Sequence, residues 1–80
     1  MTILPLLTSR VLIKALLKAG FRIVRQRGSH VHLEHILDSS RITQVAVHTS
    51  RIIPRGTLSA ILRQVKISVK ELLHLLGKNK

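Results

Sequence analysis

The apolar residues after Thr8 recur every three or four positions, as they do along one face of an α-helix. They are Val11, Leu12, Ala15, Leu16 and Ala19. Thr8 or Ser9 supplies a hydroxyl for the N-cap, and Gly20 follows where a left-handed residue commonly ends a helix. The pattern therefore predicts a first helix between Thr8 or Ser9 and Gly20.

From Phe21 onward apolar and polar residues alternate, which is typical of strands with one buried face. The predicted strands are Phe21 to Gln26, His30 to His35 and Ile42 to His48. Turn-forming residues separate them, namely Arg27-Gly28-Ser29 and Asp38-Ser39-Ser40. Connections this short predict antiparallel pairing.

The helical period returns after a loop that runs from Thr49 to Gly56. Its stripe consists of Leu58, Ile61, Leu62 and Val65. Ser68 followed by Glu71 three residues later is a capping-box pattern that opens a final helix, and Gly77 ends it. The element order predicts an α+β fold, α-β-β-β-α-α, in which helices cover one face of a three-stranded antiparallel sheet. We expect one domain over residues 1–80, with a loosely ordered extension at 1–7 and tail at 78–80.

Strand alternation assigns side chains to the two faces of this sheet. The face toward the helices is predicted to carry Val31 and Leu33, together with Phe21, Ile23, Val45 and Val47. The open face then carries His30, His32 and Glu34, together with Arg22, Val24, Gln26, Ile42, Gln44, Ala46 and His48. His35 has inward parity near a strand end and is expected to be structural or partly exposed, and His74 is expected to be an interface or boundary residue of the last helix.

The turns also predict a register. A three-residue loop at residues 27–29 sets Arg22 opposite Glu34. A second hairpin turning at residues 38–40 sets Leu33 opposite Val45 and His30 opposite His48. A two-residue slip along the same face would instead set His32 opposite His48.

The amino-acid composition favours some classes of function and excludes others. Lys and Arg number 14 against 3 Asp and Glu, a formal charge of +11, which favours partners that carry phosphate. Phe21 is the only aromatic residue, which argues against domains that stack bases on aromatic platforms. The chain has no Cys, so disulfides and thiol nucleophiles are excluded. No apolar run is long enough to span a membrane, and we expect a soluble, cytoplasmic protein.

Histidines on a basic face suit the cleavage of RNA. Imidazole titrates near neutrality, so one group can take a proton from a ribose 2′-hydroxyl while another protonates the leaving oxygen, without a metal or other cofactor. Arginines beside the first turn (Arg25, Arg27) and in the later loop (Arg51, Arg55) are placed to contact phosphates. Three alternatives stay open: a solvated face without catalysis, a zinc site formed by His30, His32 and His48, and a helix lying on a membrane surface.

Several motifs occur together along the chain: Gly20-Phe21, Arg27-Gly28-Ser29-His30, Val47-His48, Gly56-Thr57-Leu58 and Ile61-Leu62. In this combination the chain resembles the HicA toxins, small mRNA interferases of type II toxin-antitoxin pairs. The resemblance implies a fold like that of the double-stranded-RNA-binding domain and metal-independent cleavage of mRNA.

The same resemblance implies roles for individual residues. His30 is the catalytic histidine, Gly28 and Ser29 form the turn that presents it, and His48 matches a histidine often found after the third strand of the family. Independently of the resemblance, Arg22 and His32 on the open face join the four arginines named above as expected RNA contacts. A HicB antitoxin is the implied protein partner. The alternative function is an RNA-binding module of the same fold that does not cleave.

Overall fold

The computed structural model describes residues 4–47 and 51–77. The order of its elements confirms the predicted α+β fold. They are α1 (Ser9–Lys18), β1 (Phe21–Arg27), β2 (His30–His35), β3 (Asp38–Ala46), α2 (Arg55–Val65) and α3 (Val69–Leu75). The strands form one antiparallel sheet in the order β1-β2-β3, so β1 and β3 are its two edges.

Helix α1 begins and ends as its sequence predicts. The Thr8 side chain accepts a hydrogen bond from the Val11 N–H, at 3.4 Å, and so satisfies one of the free donors of the first turn. Gly20 follows the C-cap residue Ala19 with φ +100°, a conformation that residues with a Cβ rarely adopt. This glycine lets the chain reverse directly into β1.

The two C-terminal helices also follow the predicted pattern. The stripe of α2 is buried throughout: Leu58, Ile61, Leu62 and Val65. Ser68 caps α3 by accepting a hydrogen bond from the Glu71 N–H at 3.0 Å. Between these helices Lys66 adopts a left-handed conformation at the end of α2, which brings Ile67 into the core.

The core lies between the helices and one face of the sheet. The sheet contributes Phe21, Val31, Leu33 and Val45, and the helices contribute among others Leu12, Leu16, Leu58, Val65 and Leu72. Ile23 was predicted to be buried, but 48% of its surface is exposed. It lies opposite the fully buried Leu33 on the edge strand β1, beyond the part of the sheet that the helices cover.

The N-terminal segment contributes more than the sequence indicates. Leu7, assigned above to a loosely ordered extension, is buried, and Leu4 packs against the core. The Leu7 carbonyl accepts a hydrogen bond from the Ile53 N–H at 2.9 Å, and Thr8 forms a β-bridge with Ile52. The segment before α1 is therefore joined to the chain before α2.

The first hairpin differs from the predicted three-residue loop. Arg22 lies opposite Glu34, as predicted, but Arg27 pairs with His30, so the turn consists of Gly28 and Ser29 alone. A β-bulge at Val24, between Ile23 and Arg25, adds one unpaired residue to β1 and so accounts for the one-residue difference in register between the two ends of the hairpin. The sequence carries one sign of this bulge, because the adjacent apolar residues Ile23 and Val24 interrupt the alternation and a regular strand would turn Arg25 inward.

The second hairpin turns earlier than predicted. His35 pairs with Asp38, which shows that the chain reverses at Ile36 and Leu37. Asp38 and Ser40 do form a local turn, in which the Ser40 N–H donates to Asp38 Oδ1 at 3.0 Å, but it produces an irregularity inside β3. Two exposed aliphatic residues at the hairpin tip give no turn signal, and this is why the sequence misplaced it.

Candidate functional site

The sheet face turned away from the helices carries three rows of side chains that cross the strands. From one end of the sheet to the other, the rows are Arg27–His30–Ala46, Arg25–His32–Gln44 and Arg22–Glu34–Ile42. Residues directly opposite one another on antiparallel strands lie on the same face, with Cβ atoms about 4.5–5.5 Å apart. We call this surface of nine residues the histidine face.

The bulge at Val24 decides which side chains of β1 reach this face. In a regular strand that buries Phe21, Arg25 and Arg27 would point toward the helices and Gln26 toward the open side. The extra residue reverses the alternation, so Arg25 and Arg27 pair with His32 and His30. The prediction that Gln26 lies on the open face is therefore wrong, because Gln26 pairs with the buried Val31.

His30 is the first residue of β2 and is exposed. The turn before it has Gly28 at φ +54°, and Ser29 is tied to the end of β3 because its carbonyl accepts the Val47 N–H at 2.6 Å. Gly28 and Ser29 thus hold the start of β2 against both neighbouring strands. His30 is presented to solvent with a guanidinium on the adjacent strand.

His32 lies two residues further along β2 on the same face and is half-buried. The rise of about 3.4 Å per residue places its Cα about 7 Å from that of His30. Its cross-strand neighbours are Arg25 and Gln44. The third row, with Glu34 between Arg22 and Ile42, contains the one carboxylate of the face, so the excess positive charge lies at the His30 end.

The predicted pairing of His30 with His48 is wrong. Val31 pairs with Val45 and His30 with Ala46, two positions earlier on β3 than expected. The turn at Ile36 and Leu37 alone would set His30 opposite Thr43, and the three extra residues 39–41 of the irregularity in β3 move its partner to Ala46. The same register replaces the predicted pairing of Leu33 and Val45 with Leu33 opposite Thr43. His48 itself lies outside the described residues, and its part in the site stays a prediction.

The two later arginines lie beyond the end of β3. Arg51 is exposed and lines a cleft of about 400 Å³ together with Ser9, Ala46 and Ile53. Because Ala46 is also the partner of His30, this cleft adjoins the first row. Arg55 is the exposed first residue of α2, in a helix whose first turn has no acidic side chain.

Two histidines are separate from the histidine face. His35 packs its ring edge-on against Phe21, with centroids 5.0 Å apart, in agreement with the structural role expected for it. His74 is exposed on α3. Within residues 4–47 and 51–77 no cluster of three or more His, Cys, Asp or Glu is arranged to hold a metal ion.

Sequence reasoning missed two polar contacts that join β3 to α2. Thr43 is buried and its hydroxyl donates to Gln64 Oε1 at 2.6 Å, and Arg41 Nε donates to the Val65 carbonyl at 2.7 Å. A threonine at an inward strand position needs a hydrogen-bond partner, so the position of Thr43 could have predicted a buried polar contact. Arg41 carried none, because its role depends on the register of β3.

The fold and this face together define a class: a small, strongly basic α+β domain whose open sheet surface presents histidine and arginine side chains. In the described part of the chain no helix has the length and apolar character needed to cross a membrane. Such a surface is suited to an anionic polymer.

Comparison with protein families is consistent with this class. Residues 9–67 match the family model described as HicA toxin of bacterial toxin-antitoxin. The match extends from the start of α1 to the residue after the C-cap of α2 and so includes the whole sheet. The chain belongs to the HicA toxin family, which confirms the resemblance drawn from its motifs. The comparison with curated proteins gives no match.

Proposed function

We propose that this toxin is an endoribonuclease that cleaves mRNA by histidine acid–base chemistry and needs no metal ion. The observation that carries the proposal is the position of His30 at the exposed start of β2, beside Arg27 on the histidine face. Membership of the HicA toxin family supports it. Belonging to a toxin-antitoxin pair implies an antitoxin as protein partner.

The reaction uses the nucleophile that RNA contains. One side chain takes the proton of a ribose 2′-hydroxyl, and the oxygen attacks the adjacent phosphorus. A second side chain gives a proton to the departing 5′-oxygen, so the products are a 2′,3′-cyclic phosphate and a 5′-hydroxyl. Arginine side chains stabilise the negative charge that develops on the phosphoryl oxygens.

His30 takes one of these two roles, and His32 is the described histidine best suited to the other. Both lie on the same face of β2, about 7 Å apart along the strand, so a phosphate above the strand is within reach of both rings. His48 is the other candidate for the second role. Gly28 and Ser29 serve as the turn that positions His30.

Five arginines are proposed to hold RNA phosphates. Arg22, Arg25 and Arg27 lie along β1, each opposite a residue of β2 on the histidine face. Arg51 adjoins the end of the first row through the cleft shared with Ala46, and Arg55 begins α2. A HicB-type antitoxin with an acidic surface would neutralise the toxin by covering this face.

Replacing His30 tests the proposal. His30→Ala should lower the rate of RNA cleavage at least 100-fold, because one proton transfer is lost, while RNA affinity changes little. The matched control is His74→Ala, which removes an exposed histidine from α3 and should cleave at the wild-type rate. Cleavage is followed with end-labelled RNA, and the fragments are analysed for a cyclic phosphate.

Cleavage by His30→Ala at the wild-type rate would overturn the assignment of His30. The second candidate, an RNA-binding module without catalysis, is favoured by the concentration of arginine on the face. It predicts no cleavage by the wild-type protein and only weaker binding by His30→Ala. Loss of wild-type cleavage in EDTA would indicate a zinc-dependent nuclease instead.

A further inference from the structure

The free edge of β3 contains a shallow hollow beside the histidine face. Its volume is about 480 Å³, and its lining consists of His32, Ser40, Ile42, Thr43, Gln44 and Gln64. We call it the β3-edge hollow. His32 belongs both to this hollow and to the second row of the histidine face, so a strand of RNA lying across that row reaches the hollow.

The backbone of β3 supplies a donor and an acceptor at this edge. In an antiparallel pair the peptide groups of alternate residues point toward and away from the partner strand. The Val47 N–H bonds to Ser29 of the β2 side, and the Ala46 carbonyl points the other way, where it accepts the Ser9 hydroxyl at 2.7 Å. By the same alternation the N–H and C=O of Gln44 point away from β2, toward the β3-edge hollow.

Gln64 adds a second donor whose direction is fixed. Its Oε1 accepts the hydroxyl proton of the buried Thr43 at 2.6 Å. With the carbonyl occupied in this way, the amide NH2 is the group that Gln64 offers to a ligand in the hollow. The hollow thus combines a fixed amide donor with an adjacent backbone donor and acceptor.

This arrangement suits one chemical class of base. Phe21, the only Phe, Tyr or Trp of the chain, is buried, so a base cannot stack on it. Stacking on the His32 ring would be tolerant of base identity, and the hydrogen bonds in the hollow therefore supply the discrimination between bases. Uracil and guanine present a carbonyl next to a ring N–H, which matches the Gln64 NH2 and the Gln44 C=O. Cytosine and adenine present an amino group that would meet the Gln64 NH2, donor against donor. Ile42, 45% exposed, gives the base ring an apolar surface.

We infer that the β3-edge hollow binds a keto nucleobase, uracil or guanine, next to the phosphate that is cleaved. The inference rests on the proposed ribonuclease function and adds to it a basis for sequence preference. Gln64 and Gln44 are the residues that determine this specificity, whereas His30 determines the rate.

Sequencing the cleavage ends of a randomised RNA pool tests the inference. The wild-type toxin should prefer U or G over C or A by about tenfold at one position beside the cut, the discrimination of a good base contact. Gln64→Ala should reduce this ratio several-fold. Gln64→Glu retains an acceptor for Thr43 but replaces the outward donor with an acceptor, and should shift the preference toward C or A.

Gln26→Ala is the matched control, because Gln26 lies on β1, the opposite edge of the sheet, and should leave the ratio unchanged. Thermal unfolding followed by circular dichroism establishes that each variant is folded. Cleavage without base preference, or an unchanged ratio in both Gln64 variants, overturns the inference while the proposed function stands. A peptide strand of the antitoxin, the competing occupant of the edge, predicts that unchanged ratio.

Binding measurements separate this failure from a failure of the proposed function. If the wild-type protein does not cleave, its affinities for the RNA hexamers U6 and C6 are compared by fluorescence anisotropy. Tighter binding of U6 that is lost in Gln64→Glu supports base recognition in the hollow by itself. Equal affinities for the two hexamers overturn it.

Discussion

The side chain of His35 contacts three separate elements of this small domain. Its Nδ1 accepts the Leu37 N–H at 3.1 Å, so the ring proton is on Nε2, which donates to the Ala19 carbonyl at 3.2 Å. The same ring meets Phe21 edge-on. One imidazole therefore joins the end of α1, the start of β1 and the turn between β2 and β3.

A glycine is expected to be required at position 20, because the backbone there lies close to the His35 ring. A Cβ at Gly20 would lie 3.0 Å from His35 Nε2, and the residue has φ +100°. Gly20→Ala should lower the free energy of unfolding by about 2 kcal/mol in urea denaturation, through backbone strain and crowding. Gly56→Ala is the control: a Cβ there, in the first turn of α2, meets nothing within 4 Å and should change the free energy of unfolding by less than about 0.5 kcal/mol. Equal effects of the two substitutions would contradict this account.

Asp38 provides a prediction about pH. The hydrogen bond from the Ser40 hydroxyl, and after it that from the Ser40 N–H, lowers the pKa of Asp38 below its ordinary value of 3.8. These bonds favour the charged form, so their stabilising effect is present above pH 3.8 and is lost as the pH falls through the folded-state pKa. Ser40→Ala should raise the pKa of Asp38 toward 3.8, as measured by NMR of its carboxyl carbon.

Ser39→Ala is the matched control for that titration, because the hydrogen bonds to Asp38 come from Ser40. An Asp38 pKa that is the same in Ser40→Ala as in the wild type would show that the hydrogen bond from the Ser40 hydroxyl is not its main cause.

At the scale of elements, one feature of β1 determines the composition of the histidine face, and one side chain of β3 joins the sheet to α2. The bulge in β1 brings Arg25 and Arg27 into the rows of His32 and His30. The side chain of Arg41 joins β3 to the end of α2: it donates to the Val65 carbonyl, and its guanidinium carbon lies 5.4 Å from the centre of the Phe21 ring. The arginine thus satisfies a carbonyl at the end of a helix and covers an aromatic ring.

Arg41→Ala should therefore destabilise the protein by about 2 kcal/mol, the sum expected of a charged hydrogen bond and a cation–π contact. Arg10→Ala, which removes an exposed arginine from the first turn of α1, should change stability by less than about 0.5 kcal/mol. Both are measured by urea denaturation. Similar stabilities of the two variants would show that Arg41 does not join β3 to α2 energetically.

At the scale of the whole molecule, the charge of +11 dominates encounters with other macromolecules. Neutralising phosphates releases counterions from the nucleic acid, so the affinity for RNA falls as salt rises. With the five proposed arginine contacts, the logarithm of the binding constant should fall with the logarithm of salt with a slope of about −3 to −4 for single-stranded RNA.

Removing one phosphate contact should reduce that slope. Arg27→Ala is expected to make it shallower by about 0.7, whereas Lys70→Ala on α3 should leave it unchanged. Fluorescence anisotropy titrations at four salt concentrations measure both. Affinity that does not depend on salt, or equal slopes for the two variants, would remove the electrostatic part of the proposal.

The sequence by itself determined the features that depend on neighbouring residues. The helical stripe of α2, the caps at Thr8 and Ser68, the positive φ of Gly20 and the order of the elements were all predicted from residues within a few positions of one another. Alternation along β2 likewise set His30 and His32 on the open face, and motifs in fixed order indicated the family.

Tertiary structure decided what depends on residues that are distant in the chain. The bulge at Val24 sets which arginines lie beside the histidines. The turn at Ile36 and Leu37, together with the irregularity at residues 39–41, sets which residue of β3 faces His30. One inserted residue reverses every side chain that follows it, and the choice between registers is made by packing against the helices. For the same reason, the contact of Gln64 with Thr43 became visible only once α2 lay beside β3.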